Sequence, residues 1–329
     1  MDLRSLAHNI SGFSGASRKL PIVEITRKMS DSLSGVSPCG AKIIESFGED
    51  CAVIDIGDEK RYLLFKAEEM WHQLVDVDPS FAGYCSILAN VNDVSAKGGT
   101  PIAVVNTLAS SSTSMREKIV SGIIEGCRKF NVPMVGGHLN PDASFNALSV
   151  SIIGIVGKDS LIRSDAAQKG DSIIIGVDLD GHFHSKFKTA WDTTTGKSRF
   201  DVEKRLEAIR EIGSKKIVTA GKDISNPGIG GTLGMLLDAS NVGGEVNVNE
   251  IPKPPDAEML QWLEAYPGFG VVLTTDPGKS EECISILKGH GIEARVVGIV
   301  NDSRRLLLTD GRSSAEVFDF REDKLSGKP

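Results

Sequence analysis

No run of 18 consecutive apolar residues occurs in this chain, so no segment has the composition of a membrane-crossing helix. The opening stretch MDLRSLAHNISGFSG lacks the apolar centre of a secretory leader. Cysteine is scarce and scattered. Cys39, Cys51, Cys85, Cys127 and Cys283 form no CxxC pair, and an odd count without regular spacing argues against a disulfide framework. Reduced thiols serving as core residues in a cytoplasmic protein are the expectation. An excess of basic charge is missing too, and the formal net charge of -7 argues against a sequence-independent nucleic-acid binder. Internal repeats are absent, which sets aside solenoids and propellers. So is a P-loop: Thr195-Gly196-Lys197 and Gly278-Lys279-Ser280 imitate its end without the earlier glycine and the preceding strand.

What remains is a chain of 329 residues, enough for two domains with substantial cores. Its 35 glycines cluster in short loops instead of a linker, which predicts tight turns and close backbone approach to a ligand. Strands are predicted over 51–56 and 62–66, joined by the turn Gly57-Asp58-Glu59-Lys60, then over 102–108, 132–135 and 147–156. A helix with Met115, Ile119, Ile123, Cys127 and Phe130 in register spans about 115–130. The polar stretch 157–170 reads as the crossing between domains, placing them at 1–160 and 161–329. The second half alternates again, with a strand at 172–177, helices near 201–220 and 228–240, and further strands at 271–274 and 294–299. Both halves are therefore α/β, and the charged tail after Arg321 is expected to fray.

Four motifs carry chemistry. The first is a helix ending in Asn90-Val91-Asn92-Asp93-Val94-Ser95-Ala96-Lys97-Gly98-Gly99. At helical spacing it puts Ser86, Asn90, Asp93 and Lys97 on one polar face, with Asn92 on the apolar side beside Leu88 and Val91. Read alone, that face is solvated, and Lys97 faces water beside a cleft. In the second motif, Glu49 and Asp50 directly precede a strand, and Lys66-Ala67-Glu68-Glu69 ends the next one. Such carboxylates suit Mg²⁺, which keeps most of its waters and takes one or two acidic ligands with phosphate oxygens. Lys66 could pair a phosphate. Third, Val135-Gly136-Gly137-His138-Leu139-Asn140 reads as a strand leaving into a glycine turn whose N–H groups can approach a phosphate. Last, Lys222-Asp223-Ile224-Ser225 leads into Gly228-Ile229-Gly230-Gly231, a glycine-led helix start that favours anions.

In order, GEDCAV, KAEEM, NVNDVSAKGGTPIAVVNTL, PMVGGHLN and KDISNPGIGGTLGMLL resemble the superfamily of aminoimidazole ribonucleotide (AIR) synthetase, thiamine monophosphate kinase and selenophosphate synthetase. The stretches AEEMW, FAGYC, NVNDV, GGHLN and KDIS resemble most its AIR synthase-related, methanogenesis marker protein 2 subgroup. The resemblance implies a two-domain PurM-like α+β fold, a homodimer whose N-terminal sheets pair into a β-barrel, and ATP with Mg²⁺ in a cleft between the domains. It implies Asp50, Glu68, Asp93 and Asp223 as cation ligands. Asp50, Gly136, Gly137, His138, Asn140, Lys222, Asp223 and Ser225 would contact the nucleotide. Asp93, Lys66 and Lys19 would act in catalysis, with Lys19 carried by a glycine-containing lid around Ser11–Gly15 and Arg18.

The implied activity is ATP- and Mg²⁺-dependent phosphoryl transfer to a small molecule, or ATP-driven activation of one. An ATP-binding maturation or assembly factor without turnover is the alternative, and a dimeric scaffold a third reading. No nucleic acid or membrane partner is expected. No cysteine precedes Cys39 or follows Cys283, and Asn226-Pro227 interrupts the kinase motif Asp-x-Ser-Asp-Gly, so no named activity carries over. His72, His138, Asn140, Trp191 and Asp192 are expected to shape the acceptor pocket.

Overall fold

Alternation along single strands fixes which face each sheet buries. The computed structural model describes residues 2–18, 20–33, 36 and 40–328. The first unit contains α1 (Leu3–Gly12), α2 (Ser14–Ser17), α3 (Leu20–Ser32), β1 (Lys42–Glu45), β2 (Ala52–Asp55) and β3 (Arg61–Glu69). It continues through α4 (His72–Val77), α5 (Pro79–Ala96), β4 (Thr100–Ala109), α6 (Thr113–Phe130), β5 (Met134–Asn140) and β6 (Ala147–Gly157). Its six strands order as β1-β2-β3-β6-β4-β5, antiparallel except for the parallel pair β4–β5. On β6, Leu148, Val150, Ile152 and Val156 are buried in the core that also holds Val91 and Val94 of α5 and Ile119 and Ile123 of α6. The opposite face of the sheet carries Phe65, Val105 and Ile153, which stay exposed in the single chain.

The second unit starts with β7 (Ser172–Val177), β8 (His182–Phe183), β9 (Ala190–Asp192), α7 (Arg199–Ser214), β10 (Ala220–Asp223) and α8 (Gly228–Ala239). Then come β11 (Gly243–Asn247), α9 (Met259–Glu264), β12 (Tyr266–Pro267), β13 (Gly270–Thr275), α10 (Ser280–Gly289), β14 (Glu293–Asn301), β15 (Arg305–Thr309) and β16 (Ser314–Asp319). Seven strands form a sheet ordered β10-β13-β7-β14-β11-β15-β16. Strand β7 reads Ser-Ile-Ile-Ile-Gly-Val and is buried throughout, as a strand covered on both faces must be. Ile174 joins the core shared with α5 and α6, whereas Ile173 and Ile175 join a second core with α8 and α9. The first core thus runs through both units and ties them together.

Both ends of the chain cross between the units. Helix α1, capped by Asp2 accepting from Ser5 N at 2.8 Å, sends Leu6, Ala7 and Ile10 into the second core. The segment expected as a free lid is therefore folded against the second unit. An added Cβ on Gly15 would lie 2.2 Å from the Asn226 carbonyl oxygen. Lys19 lies outside the described residues, as does Cys39. The tail does not fray: Asp238 Oδ2 accepts from Leu325 N and Ser326 N, both at 2.9 Å, and Thr26 Oγ1 donates to the Gly327 carbonyl at 2.9 Å. Among the described residues, no helix is long and apolar enough to cross a membrane.

Candidate functional site

Helix α5 is the support of the site. Pro79 sits at its first turn and Asp78 caps it by accepting from Phe81 N at 3.1 Å, while Gly98 at φ +74° ends it. It packs against α6 at backbone distance, since a Cβ on Gly83 would fall 2.1 Å from the Ile119 carbonyl oxygen. The polar face read as solvated is buried instead. Asn90 Nδ2 donates to the Ser86 carbonyl at 2.8 Å and Ser86 Oγ to the Gly83 carbonyl at 2.7 Å, so these donors are used on their own helix while Asn90 Oδ1 stays without a partner. Lys97 is 0% exposed and ion-paired with Glu49, on a turn covered by the crossing segment, where Ile162 N donates to the Lys97 carbonyl at 3.2 Å and the Ser160 carbonyl lies beside Gly98.

Asp93 projects from α5 towards the end of β3. On that strand Leu64 is in the core, and Lys66 and Glu68 follow on the same face at a spacing of two. Asp50 arrives from the turn before β2, and Asp223 from the end of β10 in the second unit. Carboxylate oxygens of Asp50, Asp93 and Asp223 lie within 4.8 Å of one another, and all three residues are buried. Lys66 Nζ approaches Asp93 Oδ2 at 2.9 Å, and Lys222 is paired with Asp50. Two ammonium groups thus face three carboxylates, with Glu68 adding a fourth negative charge. At this separation, like charges repel by about 3–4 kcal/mol per pair at an effective dielectric near 20.

Titration behaviour follows from that crowding. Burial, then the negative charges of Asp223, Glu68 and Asp50, hold the Asp93 carboxyl well above the usual carboxylate range despite Lys66. Burial and Asp50 push Asp223 up to about 7. Burial works against the charge on Lys66, but Asp93 and Glu68 outweigh it and raise its pKa well above the ordinary value. Asp50 Oδ2 and Asp223 Oδ1 accept no hydrogen bond, and Asp93 Oδ2 has the Lys66 ammonium alone. Buried acceptors left without donors, all oxygen and in excess of the local cations, fit a hard divalent ion such as Mg²⁺.

A second acidic cluster, Glu45, Glu49 and Asp165, is different in kind. Arg163 Nη2 reaches Glu45 Oε1 at 2.8 Å, Lys328 Nζ reaches Glu49 Oε1 at 3.4 Å, and Lys97 pairs with Glu49. Three acids meet three bases there, and the cluster is a neutral clamp holding the tail. Gly48, at φ +89°, lets the tail in: a Cβ there would lie 2.7 Å from the Ser326 carbonyl oxygen.

Two neighbouring compartments lie at the Asp50–Asp93–Asp223 cluster. One, of about 160 Å³, is charged and lined by Asp50, Lys66, Glu68, Asp93, Lys222 and Ser225, with Leu325 to Gly327 of the tail over it. The other, of about 130 Å³, is walled by Trp71, Phe81, Leu88, Trp191 and Tyr266, and shares Glu68 and Ser225 with the first.

The sequence descriptions "AIR synthase related protein, N-terminal domain" and "AIR synthase related protein, C-terminal domain" match residues 48–156 and 168–311. The chain belongs to the AIR synthase related family. An uncharacterized protein of Methanocaldococcus jannaschii is 39% identical over 327 residues, 99% of this chain and 100% of that one. T. maritima PurL complexed with ATP superposes with a TM-score of 0.69 at 22% identity, over 81% of this chain and 45% of that chain. AaThiL complexed with AMPPCP and TMP gives a TM-score of 0.64 at 18% identity, over 89% of this chain and 96% of that one. The chain thus spans less than half of PurL, and it shares the two-domain PurM-like α+β fold of both structures.

In this AIR synthase related protein, the expected ligands Asp50, Glu68, Asp93 and Asp223 come together with Lys66, Lys222 and Ser225. Gly136, Gly137, His138 and Asn140 do not join them. Gly136 and Gly137 are extended residues of β5, paired in parallel with Val105 and Asn106, so no turn or anion nest forms there. Gly137 aligns with Asn106, Val150 and Glu68 across three strand steps, roughly 14 Å at about 4.8 Å per step. Trp191 and Asp192 line the aromatic compartment, whereas His72 and His138 are exposed outside it. Missing from the sequence reading were Asn92 as a wall of that compartment and the tail as a cover. Asn92 had a signal, a polar residue on an apolar helix face; the tail had none.

Proposed function

We propose that this protein is an ATP- and Mg²⁺-dependent enzyme that transfers a phosphoryl group to a small molecule or uses ATP to activate one. The observation that carries this reading is the buried triad Asp50, Asp93 and Asp223, with an unpartnered oxygen on Asp50 and on Asp223, beside Lys66 and Lys222. Family membership and the likeness to proteins solved with ATP and with AMPPCP support a nucleotide at this site. A bound Mg²⁺ supplies charge neutralisation for phosphate oxygens. Lys66 and Lys222 add fixed positive charge, and α5, β3 and β10 hold the ligands in place before the nucleotide arrives. In the transfer, a nucleophilic atom of the acceptor bonds to the γ-phosphorus as the bond to the β–γ bridging oxygen breaks. ADP leaves with that electron pair, and the proton of the acceptor goes to solvent.

The reading includes a homodimer, for which the apolar outer face of the first sheet is the support. Gly136, Gly137, His138 and Asn140 would then touch nucleotide only from a second copy, given their distance from Glu68 within one chain. A cytoplasmic location rests on the unpaired thiols of Cys51, Cys85, Cys127 and Cys283.

Titration calorimetry with AMPPCP and MgCl₂ tests the proposal. Binding should require Mg²⁺ and should weaken at least tenfold in Asp93→Ala, with the protein still folded by circular dichroism. Absence of binding to wild type, or equal binding to the variant, defeats it. Binding without phosphate release across a metabolite panel would move the assignment to an assembly factor that senses ATP.

A further inference from the structure

The aromatic compartment carries chemistry that the nucleotide reading does not use. Its polar wall is weighted towards acceptors, with Ser225, Asn226 and Tyr266 as side chains that can also donate. Asn92, 7% exposed, spends its amide nitrogen on the Gly268 carbonyl at 2.9 Å, and its Oδ1 accepts no hydrogen bond. Glu68, Glu69, Asp192 and Asp223 line the same wall, the Asp192 carboxylate being taken up by Thr194 N, Thr195 N and Thr195 Oγ1. Among the described residues, no lysine, arginine or histidine lines it. Arg18 stacks on Trp71 at 5.5 Å from the ring centroid but is not part of the lining. The remaining walls, Trp71, Phe81 and Tyr266 among them, are flat and apolar.

We infer that this compartment binds the phosphoryl acceptor, and that the acceptor is a flat ring bearing a cationic or hydrogen-bond-donating nitrogen and no phosphate. The inference rests on the phosphotransfer reading for the word acceptor, and on the compartment itself for the chemical class. An anionic ligand would meet acidic side chains in a lining that holds no cation, since Lys66 and Lys222 are paired with Asp93 and Asp50 and Arg18 lies over the Trp71 ring. A donor nitrogen would satisfy Asn92 Oδ1, which is otherwise a buried acceptor without a partner. A ring cation would also gain from the faces of Trp71 and Phe81. Position separates this occupant from the base of ATP. Glu68 and Ser225 wall both compartments, so a ligand here abuts the cation cluster directly. A nucleotide base is held away from its transferable phosphate by a ribose and two further phosphates. Asn92 and Asp93 follow one another on α5, about 100° apart around the helix, so one residue addresses each compartment.

Benzamidine, benzoate and phenyl phosphate are suitable probes on the full chain, followed by calorimetry and by tryptophan fluorescence from Trp71 and Trp191. Benzamidine should bind and shift the emission, with benzoate and phenyl phosphate at least tenfold weaker. Asn92→Leu and, independently, Trp71→Ala should each weaken benzamidine by about tenfold, with melting curves showing that both are folded. Lack of benzamidine binding, equal binding of either anion, or full affinity in both variants overturns the inference. AMPPCP with Mg²⁺ should bind together with benzamidine; displacement would give the compartment to the base and overturn the acceptor assignment. Asp93→Ala separates the two claims, since it should lose AMPPCP and keep benzamidine. Loss of nucleotide binding in wild type would defeat the phosphotransfer reading while leaving the ligand class of the compartment to stand or fall on benzamidine alone.

Discussion

Glu49 and Asp50 are neighbours in the chain, yet they turn to different clusters. Glu49 pairs with Lys97 where neither side chain meets solvent. Burial alone would raise the Glu49 carboxyl, but Lys97 and Lys328 bring it down to about 2. Its folded value lies below the ordinary 4.5, so its contribution to stability is whole above that pH and is lost as pH falls towards 2. Glu49→Gln leaves the Lys97 ammonium buried without a counter-charge, which should cost about 3–5 kcal/mol in urea unfolding at pH 7. The deficit should shrink as wild type loses its own pair below pH 4. Asp223 has the opposite sign. Raised to about 7, its carboxyl favours the folded state most below its ordinary 3.8, and that advantage is lost as pH rises through 7. Cation-free protein should therefore lose melting temperature between pH 4 and 7, less so in Asp223→Asn. Because Mg²⁺ and that proton compete, Mg²⁺ stabilisation of wild type should grow over the same interval and level off above it.

At the scale of elements, the site depends on how closely α5 and α6 approach. An added Cβ on Gly122 would fall 1.8 Å from the Ser80 carbonyl oxygen, so Gly122→Val has to push the helices apart. Overpacking of this kind costs about 1–3 kcal/mol, and here it also shifts Asp93. The expected outcome is a lower melting temperature together with weaker Mg²⁺-dependent AMPPCP binding, although Gly122 touches neither compartment. The same helix shows how far the sequence could be read. Its existence and its end at Gly98 were legible from periodicity, and the convergence of Asp93 with Asp50 and Asp223 from the resemblance that the ordered motifs carry. Burial of its polar face was not, because a helical wheel distinguishes faces and says nothing of what covers them. Lys97 looked solvated since its partner, Glu49, and its cover, the segment at Ser160 to Ile162, are both distant in sequence. The Gly136-Gly137 pair misled for a related reason. Consecutive glycines suit a turn, but pairing with β4 holds these two extended, and a ladder formed by a distant strand leaves no local trace.

The whole molecule leaves one large surface unaccounted for. Helices cover one face of the first sheet, whereas on the other Phe65 is 46%, Val105 40% and Ile153 37% exposed. Register places Phe65 against Ile153 and Ile153 against Ala103, so these side chains form a contiguous apolar patch across three strands. A patch of this kind on a soluble chain marks an interface, and a twofold pairing of the same face on two copies would cover both at once. Stable pairing requires a total of roughly 1,600 Å² of buried surface, which the face of a six-stranded sheet can supply. Light scattering coupled to size exclusion should give twice the 35.1 kDa chain mass for wild type. Phe65→Glu places a charge within the patch while its strand neighbours Leu64 and Lys66 keep their inward contacts. It should therefore yield a folded monomer. Wild type running at the mass of a single chain would show that the face serves something other than a second copy. If the dimer forms and nucleotide binding falls with it in Phe65→Glu, the β5 edge of the partner becomes part of the site, and the glycines set aside within one chain return to it from the other.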